Sequence, residues 1–103
     1  MNTILFKIWL LEKGYSPKVA SDNTCRLKQL DKALIESSIS SSVDYEYNKD
    51  HCKELLSCFS KKGNNPIMDM YNLVSLPIGK NHIHTYKLAL NKYIQFKNGC
   101  SNG

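Results

Sequence analysis

The chain has 103 residues, enough for one domain with one modest core and too few for two. Apolar residues make up 42% and charged residues 22%, which excludes a disordered chain and argues for a folded one. The formal charge of +5, from 14 Lys and Arg against 9 Asp and Glu, favours nucleic acid or another anionic surface as partner.

The opening run, MNTILFKIWLLEKG, is broken by Lys7 and stopped by Glu12 and Lys13. It is too short for a membrane span and lacks a small-residue cleavage site, so no membrane partner is expected and the protein reads as cytoplasmic. The spacing predicts a helix from Thr3 to Lys13, with Ile4, Ile8 and Leu11 on one apolar face and Leu5 and Trp9 beside them. Gly14 ends it. Ser16 and Pro17 are start signals for a second helix running to Ser37. Its apolar positions are Val19, Ala20, Leu27, Leu30, Ala33 and Leu34, with Asn23 the weak point in the phase.

The serine cluster after Ser37 is too polar to pack, and residues 37–47 are expected to form a loop. Asn48 or Asp50 then caps a third helix carrying Cys52, Leu55, Leu56 and Phe59, which ends near KKGNNP. The stretch PIMDMYNLVSLPIG reads either as a short helix or as a turn with an apolar anchor, ended by Pro77 and Gly79. Asn81 or Thr85 opens the last helix, whose stripe is Tyr86, Ala89, Leu90, Tyr93, Ile94 and Phe96. VDYEYN is the one candidate strand, and a single strand makes no sheet. The expected fold is all-α, a single small bundle of four to five helices over residues 1–98, with residues 99–103 a flexible tail.

Motifs for chemistry are weak. His51, Cys52, Cys58, His82 and His84 are potential metal ligands, but Cys52 and Cys58 are six apart and no matched pair follows, so no metal or other cofactor is expected. The four cysteines are irregularly spaced and read as free thiols. No G-x-S-x-G and no Gly-rich phosphate loop is present, and a short helical chain offers little room for a small-molecule substrate; the chain does not read as an enzyme. Tyr86, Tyr93 and Phe96 fall at helical spacing with Ala89 and Leu90 and read as core before they read as stacking platforms for bases.

The cations carry more. Lys18, Arg26, Lys28 and Lys32 lie on the second helix, with Lys28 and Lys32 one turn apart on one face. Lys80, Lys87 and Lys92 line the last helix and its approach. Arg26 is the only arginine, so base reading by bidentate arginines is not expected, while lysine contacts to phosphate are.

Two segments carry a family resemblance. FKIWLLEKGYSPKVASDNTCRLKQLDKAL resembles the start of the core-binding (SAM-like) domain of tyrosine recombinases and phage integrases, matching at Phe6, Trp9, Leu10, Gly14, Ser16 and Leu27. Val19 stands where Thr is common and Asn23 where Tyr is common. HTYKLALNKYIQF resembles the closing helix of related domains in restriction-type nucleases and mobile-element proteins, through Tyr86, Ala89, Leu90, Lys92, Tyr93 and Phe96. The resemblance implies a helical module that clamps one side of a DNA duplex without cutting or joining it.

The expected function is therefore non-catalytic binding of double-stranded DNA through a lysine-rich face formed by Lys18, Arg26, Lys28, Lys32, Lys80, Lys87 and Lys92. His82, His84 and Thr85 add polar contacts near a helix N-terminus, where phosphate is favoured. The alternative is a phage- or mobile-element-encoded inhibitor that binds a host nuclease or recombinase. A DNA binder should gather its lysines on one face, away from Glu36, Asp44, Glu46 and Asp50. An inhibitor should instead expose an apolar patch, which IMDMYNLVSLPI is the stretch to supply, and the same patch would serve a homodimer.

Overall fold

Capping chemistry sets most element ends in the computed structural model, which describes residues 1–37, 42–73 and 75–101. The Asn2 side chain accepts from Leu5 N and starts α1 (Thr3–Glu12), and Gly14, at φ +98°, turns the chain out of it. Ser16 Oγ accepts from Val19 N to start α2 (Pro17–Ser37), with Pro17 at the first helical position. Ser42 accepts from Tyr45 N and starts α3 (Val43–Asp50). The Asp50 carboxylate accepts from Lys53 N and Glu54 N at the start of α4 (Lys53–Ser57). Asn65 and Pro66 open α5 (Pro66–Tyr71), and Asn72, left-handed at φ 57°, closes it. A left-handed turn at Ser60–Gly63 precedes α5, and a short 3₁₀ segment, Asn81–Ile83, precedes α6 (His84–Ser101).

The described residues are all helical with no strand, as the apolar spacing indicates, but they form six α-helices rather than four or five. Of two differences from the expected elements, the first adds the sixth helix and the second shifts the third. The expected loop over 37–47 becomes helix from Val43 onward, because Val43 and Tyr47 are both buried at a spacing of four and Ser42 supplies the cap; residues 38–41 of that loop lie outside the described residues. The expected third helix starts only at Lys53, after His51 and Cys52, both left-handed at φ 55° and 63°, and ends at Ser57 rather than near KKGNNP. That break turns the Cys52 thiol into the core. At the other end, α6 continues through residues 99–101, which the sequence assigned to a tail.

The long helices make the frame: α2 packs most extensively on α6 and on α1. Tyr86 near the start of α6 bonds Gln29 in mid-α2, while Lys92, further along, reaches Tyr15 just ahead of α2, so the two helices run antiparallel. Leu27, Leu30 and Leu34 of α2 and Leu90, Tyr93 and Phe96 of α6 fill the centre. Phe6 stacks edge-on against both Tyr93 and Phe96, and Trp9 against Phe96. Asn23, the weak point in the α2 phase, is buried and returns its amide to Val19 O at 2.9 Å. Burial of this kind means that truncating Leu27 or Leu90 to alanine costs about 2–5 kcal/mol.

The first helix turns a different face inward from the one its pattern suggested. Phe6 and Leu10 are fully buried with Trp9 packed beside them, whereas Ile4, Leu5, Ile8 and Leu11 are exposed. Aromatic packing against α6 decides the orientation, since Phe6 and Trp9 bring more contact area than the aliphatics.

Candidate nucleic-acid interface

The cations on α2 are interleaved with acids. Lys18 Nζ lies 3.4 Å from Asp22, and Lys32 Nζ lies 3.8 Å from Glu36. Both pairs are exposed, one turn apart on the same side of the helix. Lys28 is exposed beside this stripe, and Arg26 is half-buried on the helix shoulder. Lys32 and Glu36 also line a hollow of about 300 Å³ with Gln29, Ser75, Leu76 and Tyr86. On this face two acids therefore offset half of the four cations, which weakens its pull on phosphate.

The last helix divides its lysines too. Lys87 and Lys92 are five residues apart, about 140° around the axis. Lys92 leans toward the α1–α2 turn, its ammonium 5.4 Å from the centre of the Tyr15 ring. Lys87 instead follows His84 by one turn and belongs with the approach to the helix.

That approach is where basic groups gather on segments that carry no acid of their own. The Gly79 amide donates to Lys62 O at 2.7 Å, and Lys62 Nζ donates to Asn81 Oδ1 at 2.8 Å, which ties the Ser60–Gly63 segment to the start of α6. Lys61, Lys62, Lys80, His82, His84 and Lys87 are all exposed on this corner. Residues 60–65 and 79–87 contain no Asp or Glu. His84 Nδ1 lies 2.6 Å from Asn81 O, and the Thr85 hydroxyl donates to His82 O at 2.6 Å. Both side chains thus brace the helix entrance. His82 is the more open of the two histidines to a partner, having no such bond to the backbone among the described residues.

Lys61 and Lys62 were not singled out by pattern reading, and the signal that finds them is charge asymmetry. Residues 1–54 hold eight cations and eight acids, whereas residues 55–103 hold six lysines and one acid, Asp69. The whole positive excess arises in the second half. Lys61 and Lys62 also adopt left-handed backbone, at φ 54° and 58°, a conformation that costs about 1–2 kcal/mol for a residue with a side chain. The turn continues into Gly63 at φ +89°, where an added Cβ would come within 3.3 Å of Ile78.

Five of the eight acids of the first half are gathered around α3: Asp31, Asp44, Glu46, Asp50 and Glu54. Glu46, 1% exposed, accepts from the Tyr71 hydroxyl and lies 3.2 Å from Lys49 Nζ. Glu54 takes a second bond from Lys49, at 2.9 Å, and one from Tyr71, at 3.0 Å. The Lys49 and Tyr71 bonds hold the Glu54 carboxyl below its usual pKa, and the Glu54 bond raises that of Lys49. Burial, then the two carboxylates, push the Tyr71 hydroxyl up. Nearby, burial first and Glu46 second push the Cys52 and Cys58 thiols up to about 12, which leaves them protonated and inert. Among the described residues no group of three His, Cys, Asp or Glu is placed to hold a metal ion. No helix among them is long and apolar enough to cross a membrane.

Of the expected patch at IMDMYNLVSLPI, Met68, Tyr71, Leu73 and Leu76 are buried, and Ile67 and Ile78 pack against the core. Met70 is exposed, and Val74 lies outside the described residues. The densest run of exposed apolar side chains among the described residues is on α1 instead, because Met68, Tyr71, Leu73 and Leu76 are consumed in closing the core.

Comparison with protein-family models, curated proteins and solved structures finds no match to this chain. The positions that carry the resemblance to recombinase core-binding domains are chiefly packing residues: Phe6, Leu10, Leu27, Ala89, Leu90, Tyr93 and Phe96 are all buried.

Proposed function

We propose that this chain is a non-catalytic, cytoplasmic helical module that grips the backbone of double-stranded DNA, of the kind the recombinase core-binding resemblance implies. The observation that supports the reading is the corner of Lys61, Lys62, Lys80 and Lys87 with His82, on segments that carry no acid of their own, in a protein whose carboxylates lie mostly elsewhere. Lysine is suited to phosphate as a mobile point charge, and four such groups on one corner make a footprint of a few phosphates. Two of them are held there by strained backbone, a condition that recurs where a site needs side chains aimed outward. Lys92 extends the contact along one flank, and Lys18, Arg26, Lys28 and Lys32 contribute weakly because two acids share their helix face.

The test is binding to a labelled duplex across a salt series. Replacing Lys61, Lys62, Lys80 and Lys87 with glutamine is expected to flatten the log–log salt slope by about 3, close to one unit per lost phosphate contact. The same change at Lys28 and Lys32 is expected to move it by less than about 1.

A second reading, an inhibitor that binds a host nuclease or recombinase, is favoured by the exposed apolar face of α1. Retention of such an enzyme by the wild-type chain, lost on placing a charge at Ile8, would support it over DNA binding.

A further inference from the structure

Three large apolar residues stand exposed along one face of α1: Ile4, Ile8 and Leu11. Their separations are four and three residues. That is the spacing of the seam between two helices wound about each other. Their exposure runs from 41% to 74%, and Leu5 beside them is 52% exposed. Phe6 and Leu10, which anchor α1 to the core, lie on the opposite side of the helix. The body of the protein is therefore behind the seam and out of its way.

We propose that this face is the interface of a parallel two-fold dimer, in which α1 lies alongside α1 of a second copy. Charge decides both the occupant and the direction. Lys7 flanks the seam on one edge, next to Ile8, and Glu12 flanks it on the other, next to Leu11. Both are exposed, and neither has an ion-pair partner among the described residues. In a parallel pair the Lys7 edge of each copy meets the Glu12 edge of the other, and the five-residue offset from Lys7 to Glu12 is the one across which flanking positions come together. The chain thus carries its own complement twice. An antiparallel pair would bring the two Lys7 edges against each other and leave Glu12 beside an apolar neighbour.

Area fits a weak dimer. The seam is short, and a pair buries less than about 1,200 Å², in the range of weak, transient interfaces. The concentration series therefore extends to about 1 mM.

Sedimentation equilibrium of the full chain over a concentration series tests this. Wild type is expected to pass from monomer to dimer across that range, and Ile8→Asp to stay monomeric with an unchanged helical spectrum and melting curve, because Ile8 faces outward. Lys7→Glu is expected to weaken association by about tenfold, since it turns two attractive pairs into two repulsive ones. Lys7→Glu combined with Glu12→Lys should restore it. A wild-type chain that stays monomeric to about 1 mM overturns the proposal and leaves the face to a different protein or a membrane surface. Failure of the double exchange to restore association overturns it as well, whatever the wild type does.

Discussion

Lys49 and Lys62 are both lysines on short elements, and the structure uses them in opposite ways. Lys49 sits between two carboxylates and a tyrosine hydroxyl, with Glu46 buried beneath it. Lys62 stands on an exposed corner whose two segments contain no acid, and its ammonium is held by the neutral Asn81 side chain. Lys49 is part of what keeps α3, α4 and α5 together. Lys62 leaves most of its charge facing solvent. A count of cations treats the two alike, whereas the neighbours decide which of them a phosphate can reach.

The contrast can be broken from either side. The largest effect is expected at Lys49→Met, which strips the buried Glu46 of its cation and should cost about 3 kcal/mol, at the low end for such a loss because Lys49 is itself part-exposed. Urea denaturation reads the loss, and duplex affinity of the folded protein should not change. Tyr71→Phe removes the hydroxyl that Glu46 and Glu54 share and should cost about 1–3 kcal/mol, again with duplex binding unaffected. Lys62→Gly should do the reverse: relief of its left-handed backbone adds about 1 kcal/mol of stability, while duplex affinity falls. A variant that gains stability as it loses binding would mark the corner as built for something other than folding.

Acid should sharpen the contrast more gently. Burial works against the charged form of Asp44, but the Tyr93 hydroxyl, the Met1 ammonium and Lys97 outweigh it and hold the carboxyl below its usual value. Glu54 is held low by Lys49 and Tyr71. Both groups bind fewer protons folded than unfolded, so they add stability above the unfolded carboxylate value of about 4 and lose it as pH falls below that. Denaturation midpoints from pH 6 down to pH 2 should drop, and Asp44→Asn should make the drop shallower.

Sequence pattern reached the long elements because their signals are local. Ser16 and Pro17 mark the start of α2, and Leu27, Leu30 and Leu34 set its inward face without outside help. The start of α3 was missed because its cap, Ser42, is the last of a serine run that reads as loop, and because Val43 and Tyr47 are too few to declare a helical phase. The inward face of α1 was missed for another reason. The helix is apolar nearly all round, and the choice between Phe6 with Leu10 and Ile4 with Ile8 is made by rings on α6 that no local window contains. The site was half legible. Lys80, His82, His84, Thr85 and Lys87 lie close in sequence and were grouped, but Lys61 and Lys62 join them only through the Gly79 and Asn81 bonds. Of the acids that blunt the α2 lysines, Glu36 is among those the sequence sets against a DNA-binding face, while Asp22, one turn from Lys18, is not.

The central claim is that duplex DNA is held by the corner around Lys61, Lys62, Lys80 and Lys87, and the salt dependence of duplex binding tests it most directly. The account predicts measurable affinity at low salt, a steep fall as salt rises, and a slope flattened by about 3 in the four-glutamine variant. No binding at low salt, or a variant whose slope equals that of wild type, would contradict it.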